Sequence, residues 1–184
     1  MKNYFIGDTH FGHKNIINFQ KEERPFESIK HHDDIMIKNW NNTVAQSDSV
    51  FVLGDFAMGK RPVQLAENLN GRKVLIGGNH DECSAERYLE FFDDMKGCIV
   101  RYIGGFKCLM QHVPCHTSQL KYRMDFCIHG HLHSNVVLDD EGQPDLRYLC
   151  VSAEQTDLRP ISESAISSEL NRRAELLGIK PMKT

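Results

Sequence analysis

Apolar and polar positions follow two rhythms along this chain, and the change of rhythm divides it. In the first half, short apolar runs stand between stretches of helical periodicity. Tyr4-Phe5-Ile6 ends at Gly7-Asp8, Ser49-Val50-Phe51-Val52-Leu53 at Gly54-Asp55, and Lys73-Val74-Leu75-Ile76 at Gly77-Gly78-Asn79-His80-Asp81. Continuous runs of this length, stopped by glycine and polar residues, predict buried strands. Between them Ile29, Asp33, Met36, Ile37 and Trp40 recur at helical spacing and predict an amphipathic helix over about 28–41 with Trp40 packed inward. Pro62, which suits a first helical turn, opens a second helix carrying Leu65, Ala66 and Leu69. Tyr88, Leu89 and Phe92 mark one side of a third.

After that helix the strands crowd together. Short apolar segments at 98–102, 106–110, 126–128, 135–138 and 146–150 predict five more, with Gly104-Gly105 as the hairpin turn between the first two. Ile166, Leu170, Ala174 and Leu177 predict a last helix over about 162–177, packed on the outside, followed by a frayed tail at 181–184. Strand-helix alternation followed by clustered strands predicts two packed sheets with helices over their outer faces. The length favours one domain spanning residues 1–184.

Composition adds exclusions. With 40% hydrophobic and 26% charged residues the chain is neither disordered nor fibrous. No segment approaches the ~20 consecutive apolar residues that cross a bilayer, and the opening turns polar too early for a secretory signal, so the expected location is cytoplasmic without membrane contact. A formal charge of -3 indicates no broad cationic surface for nucleic acid. The six cysteines are expected to be reduced, most of them core packing. A small zinc site at His112, Cys115 and His116 lacks the paired Cys-x-x-Cys that closes such sites.

Candidate chemistry gathers where the strands end. Asp8 and His10 follow the first strand, Asp55 the second, Asn79 and His80 the third, His112 the strand at 106–110, and His129, His131 and His133 the strand at 126–128. Strand ends carrying carboxylate, amide and imidazole groups can converge on one rim of a sheet, the usual place for an α/β active site. These groups suit divalent metals of intermediate hardness, and an aspartate is the natural bridge between two ions ~3.5–4 Å apart.

Taken in order, Asp8-Thr9-His10, Gly54-Asp55, Gly78-Asn79-His80-Asp81, His112 and Gly130-His131-Leu132-His133 resemble the calcineurin-like metallophosphoesterase family, from about residue 3 to residue 160. The resemblance implies a β-sandwich flanked by helices, a four-layer α/β/β/α fold. It implies hydrolysis of a phosphodiester or phosphomonoester by a metal-activated hydroxide. It makes Asp8, His10 and His133 ligands of one metal and Asn79, His112 and His131 ligands of a second. Asp55 becomes the bridge, His80 a catalytic histidine outside the ligand set, and Asp81 its acidic support. Manganese is the favoured ion, with iron, zinc or nickel as alternatives. Where the family usually carries an aspartate three places after the bridge, this chain has Met58, so support around the bridge must differ. The string from Asp8 to His13, then Asn15-Ile16-Ile17 and Arg24-Pro25-Phe26, resembles a compact branch of the family found in bacteria and their phages.

Arg24 and His13 are candidates for contact with the substrate or its phosphate, as is Asn79. Arg24 is equally suited to a salt bridge. His32 is expected on a solvated helix face, His116 at the rim, and His129 in packing or in support of the ligands. The favoured substrate is a small diester or nucleotide. The alternatives are a nuclease working on nucleic-acid ends and a non-catalytic metal-binding scaffold. Oligomeric state is left open.

Overall fold

In the computed structural model, which describes residues 1–182, the three early apolar runs are the strands β1 (Asn3–Ile6), β2 (Ser49–Val52) and β3 (Arg72–Ile76). They pair in parallel and form a five-stranded sheet in the order β4-β3-β2-β1-β9, with β4 (Asp94–Lys96) parallel to β3 and β9 (Ile161–Ser162) antiparallel to β1. The second sheet, in the order β5-β6-β7-β8, holds β5 (Ile99–Ile103), β6 (Phe106–Gln111), β7 (Phe126–His129) and β8 (Tyr148–Cys150). Here β6, β7 and β8 are parallel, and β5 turns back antiparallel at Gly104 and Gly105. Both glycines have positive φ, 60° and 85°, as the expected hairpin turn requires.

The α-helices among the described residues are α1 (Ile16–Phe19), α2 (Ile29–Thr43), α3 (Ala85–Leu89), α4 (Thr117–Tyr122) and α5 (Glu163–Leu177). The segment begun by Pro62 is a 3-10 helix, Pro62–Asn68. Met36 and Trp40 of α2, Val63 and Ala66 of the 3-10 segment and Tyr88 of α3 cover Tyr4, Ile6, Val50, Val52 and Leu75 on one face of the first sheet. The Trp40 indole N–H reaches the Asn70 carbonyl at 2.9 Å, so the large ring is buried without stranding its donor.

The other face of that sheet meets the second sheet through Phe5, Phe51, Leu53 and Ile76 against Phe106, Cys108, Met110, Phe126 and Ile128. On the far side of the second sheet, α4 packs Leu120 on Cys127 and Tyr148. The layers are therefore helix, sheet, sheet, helix, the α/β/β/α order, with a thin fourth layer.

Three expectations change. The stretch 135–138 forms no strand, only an isolated bridge from Leu138 to Pro144, and Val136 and Leu138 stay exposed because no neighbouring strand offers them a face. Helix α5 does more than lie outside. Its Ile166, Leu170 and Ala174 join the core between the sheets and close one side of the sandwich. Of the tail, Met182 donates its N–H to the Gly105 carbonyl at 3.0 Å, while 183–184 lie outside the described residues.

Candidate metal centre

The carboxyl ends of β1, β2 and β3 and of β6, β7 and β8 point to the same rim, so the loops after all six strands meet there. Pairing continues past the strands: Asp8, His10 and Phe11 donate their N–H groups to the carbonyls of Gly54, Asp55 and Phe56 at 3.0, 3.0 and 2.9 Å. The two sheets are joined at the rim by Gly7, whose N–H reaches Val151 and whose carbonyl accepts from Ala153. Five of the seven non-glycine residues with left-handed φ among the described residues are Asp8, His10, Asp55, His131 and His133. Each such conformation costs an L-residue about 1–2 kcal/mol, a strain that concentrates at functional sites.

Those turns bring two triads together, Asp8-His10-His133 and Asp55-His112-His131, each able to offer ligand atoms within 4.8 Å of one another. Asp55 lies between them. Its Oδ2 is 3.7 Å from His10 Nε2 and 3.4 Å from His112 Nε2, while Oδ1 accepts the His80 N–H at 2.8 Å. Asn79 Oδ1 is 2.9 Å from His112 Nε2 and joins the second triad. Glycines permit the close approach: a Cβ on Gly78 would stand 2.2 Å from Asp55 Oδ1, and one on Gly130 2.5 Å from Asp8 Oδ2.

The donor set fits a pair of divalent ions. Asp8 Oδ2 is held by the Ser152 hydroxyl at 2.7 Å and the His131 N–H at 2.8 Å, which leaves Oδ1 free. Asp8 Oδ1 and His10 Nε2 are two of three buried side-chain polar atoms without a hydrogen-bond partner among the described residues, the third being Glu154 Oε2. Buried polar atoms are rarely left so without a further ligand. His112 carries the same message. Its Nδ1 sits 2.9 Å from the Leu53 carbonyl, so the neutral ring donates there and presents a lone pair at Nε2, yet Nε2 faces the oxygens of Asn79 and Asp55. A cation held there would satisfy these converging lone pairs.

The electrostatics agree. Burial pushes the Asp8 carboxyl up to about 6 and drives the His10 imidazole well below its ordinary range. Burial also opposes ionisation of Asp55, but hydrogen bonding and charge from His112 outweigh it and hold that carboxyl down at about 2.

His80 and His13 stand at the mouth. The His80 ring meets His10 edge-on with centroids 5.7 Å apart and lies 6.3 Å from His13. His13 Nδ1 is 3.3 Å from His10 Nδ1, close enough to orient the ring whose Nε2 faces the triad. Asp81 supports the bridge loop and not the His80 ring. Its carboxylate accepts the N–H groups of Asp55, Phe56 and Gly78 at 2.9, 3.0 and 2.8 Å, and the Tyr88 hydroxyl at 3.1 Å.

Arg24 makes the salt bridge and not the substrate contact. It is 0% exposed, and its guanidinium is spent on Glu154, on the Asp8 and Thr9 carbonyls and on His32. His32 is likewise buried, contrary to a solvated helix face, because it links Arg24 to Asp33. His129, 1% exposed, donates Nδ1–H to the Gly130 carbonyl at 2.7 Å and packs edge-on to Tyr148, below the metal-facing atoms. His116 caps α4, and His112 faces the bridge, so no zinc site forms with Cys115. All six cysteines are unpaired.

Sequence reasoning missed Glu154 and Ser152. Ser152 pins Asp8. Glu154 Oε1 accepts from Arg24 Nε at 2.7 Å and faces His133 Nδ1 at 2.9 Å. Burial opposes its ionisation, but His133 and Arg24 hold the carboxyl down at about 2. Nothing at 151–154 beyond its place after a strand could have pointed to either residue.

The structure is a two-sheet sandwich with helices on both outer faces, the α/β/β/α order that the resemblance implies, and it carries two Asp/His triads that could hold metal ions at one rim. Among known proteins, the chain is 35% identical over 168 residues to the uncharacterized protein MJ1445 of Methanocaldococcus jannaschii, covering 88% of this chain and 86% of that one. It belongs to the family of that archaeal protein. A crystal structure of a protein of unknown function from Aquifex aeolicus superposes with a TM-score of 0.74 at 30% identity, over 91% of this chain and 98% of the other. The Gene 66 protein of Mycobacterium phage L5 is 28% identical over 166 residues, covering 73% of this chain and 79% of that protein. No family model matches the chain. No helix among the described residues is long and apolar enough to cross a membrane.

Proposed function

We propose that this chain, as one domain, hydrolyses a phosphoester with two divalent ions, a small diester or nucleotide being the favoured substrate. The observation that supports it most is Asp55 Oδ2, set between His10 and His112 so that one oxygen serves both triads. Asp8, His10 and His133 would hold one ion, and Asn79, His112 and His131 the other. Bound there, the ions would supply Lewis-acid charge to the phosphoryl group and would acidify an attacking water. Asp55 would serve both ions, and Asp81 anchors its loop through the Asp55 and Phe56 N–H groups. The His80 side chain, outside both triads and at the mouth, is positioned to protonate the departing oxygen. Imidazole, carboxylate and amide donors suit manganese, the ion we favour, and also iron, zinc or nickel. Unpaired thiols suit the cytoplasm as its compartment.

The test is phosphate or alcohol release from a panel of cyclic nucleotides, nucleotide monoesters and single-stranded oligonucleotides with added Mn2+. Wild-type turnover on a small diester, abolished in Asp55→Asn together with loss of bound metal, is the expected result. A protein that binds two ions and turns over no member of the panel is a scaffold, and the proposal fails.

A further inference from the structure

The Arg24-Glu154 pair joins residues 130 positions apart with 0% exposure on both side chains. Burying two charges costs most of what their attraction returns, so such a pair is weak evidence of stabilisation and calls for another reason. Its neighbours supply one. Arg24 is anchored from behind: His32 Nδ1 faces Asp33 Oδ1 at 2.8 Å and donates there, leaving His32 Nε2 to accept from Arg24 Nη1 at 2.8 Å. Asp33 in turn accepts the Gly12 N–H at 3.1 Å. From the front, Arg24 grips the carbonyls of Asp8 and Thr9 at 2.5 and 3.2 Å, within the loop that carries the ligands Asp8 and His10. Glu154 Oε1 then meets both Arg24 Nε and His133 Nδ1. A single connected path runs from α2 to one triad, and it ends on the ring atom of His133 that points away from Asp8.

We propose that Arg24 and Glu154 act as a positioning pair for the first metal, with Glu154 fixing the His133 tautomer and Arg24 locking the Asp8 loop to the Glu154 segment. By accepting from Nδ1–H, the carboxylate leaves the Nε2 lone pair of His133 facing Asp8 Oδ1, 3.9 Å away. Among the described residues the second triad has no such carboxylate partner. Its His112 is oriented by a neutral backbone carbonyl, that of Leu53. Carboxylate-backed histidines hold metal more tightly than histidines without that partner, so loss of Glu154 should weaken one equivalent of metal and spare the other.

This inference rests on the two-metal reading, and its test needs no substrate. Metal-free wild type and Glu154→Gln are titrated with Mn2+ by calorimetry and by electron paramagnetic resonance. The expected result is two equivalents on the wild type, with one of them weakened ~10–100-fold in the variant and the other unchanged. A variant that binds both equivalents with wild-type affinity overturns the inference, whatever its melting temperature, because a purely structural role would move only stability. If the variant does not fold, 15N shifts of His133 in the metal-free wild type decide: a protonated Nδ1 and bare Nε2 are expected, and the opposite tautomer overturns the proposal. Wild type that binds no metal overturns both readings. Wild type that binds two ions but hydrolyses nothing overturns only the proposed function.

Discussion

His80 and Asp55 are neighbours through the backbone of one and the side chain of the other. The His80 N–H donates to Asp55 Oδ1, while the imidazole extends toward His10 and His13 at the open mouth. Substituting the ring therefore leaves the bond to the bridge intact. His80→Ala should retain both metals, measured as bound metal per chain, and lose ~10²–10⁴-fold in kcat, the range of a lost general acid. Metal loss at unchanged stability would put His80 among the ligands instead. At this scale the sequence was most informative, since each candidate ligand carries its own chemistry and follows a run that had to be a strand. It was least informative for Arg24. A guanidinium suits a phosphate as well as a carboxylate, and only burial against Glu154 separates the two.

The loops that carry the candidate ligands owe their shape to close approaches between strand ends. Gly130 meets both backbone and a candidate ligand: an added Cβ would stand 2.6 Å from the Leu53 carbonyl oxygen and 2.5 Å from Asp8 Oδ2. The carbonyl belongs to a core strand end and cannot yield cheaply. Gly130→Ala should cost about 1–3 kcal/mol, as overpacking does, and should displace Asp8. A denaturant melt and a metal titration read the two effects, and a variant with wild-type values in both would mean that these loops relax freely. The apolar run at 135–138 has the opposite lesson. Its residues suit a strand, but a strand needs a paired partner, and this stretch makes only the isolated bridge from Leu138 to Pro144.

Across the whole molecule, ionisable groups are buried beneath the candidate metal centre, which ties folding to protons. His129 gives the cleanest case. Burial, the leading cause, lowers its pKa from 6.5 to about 4, so the folded protein keeps it neutral where the unfolded chain binds a proton. Between those values the unfolded state carries the extra proton. Stability from this group is therefore complete above about 6.5 and is lost as pH falls toward about 4, at up to about 1.4 kcal/mol per pH unit. Denaturant unfolding of metal-free protein across this window should show a shallower pH slope for His129→Phe than for wild type. Equal slopes would mean that the ring is protonated in the folded state. Subtracting the variant also removes the contributions of the other histidines, which titrate in both proteins.

The sequence by itself determined the strands whose apolar runs must be buried, the polar groups that follow them, and hence the candidate ligands. These are properties of neighbours along the chain, where periodicity and glycine stops act locally. Tertiary structure alone decided that Asp81 clamps the bridge loop, that Arg24 faces inward, that Glu154 backs His133, and that α5 closes the sandwich. Each of these joins segments distant in sequence. A side chain that can accept, donate or pack in several ways takes its role from whichever partner the packed sheets bring within ~3 Å, the reach of a hydrogen bond.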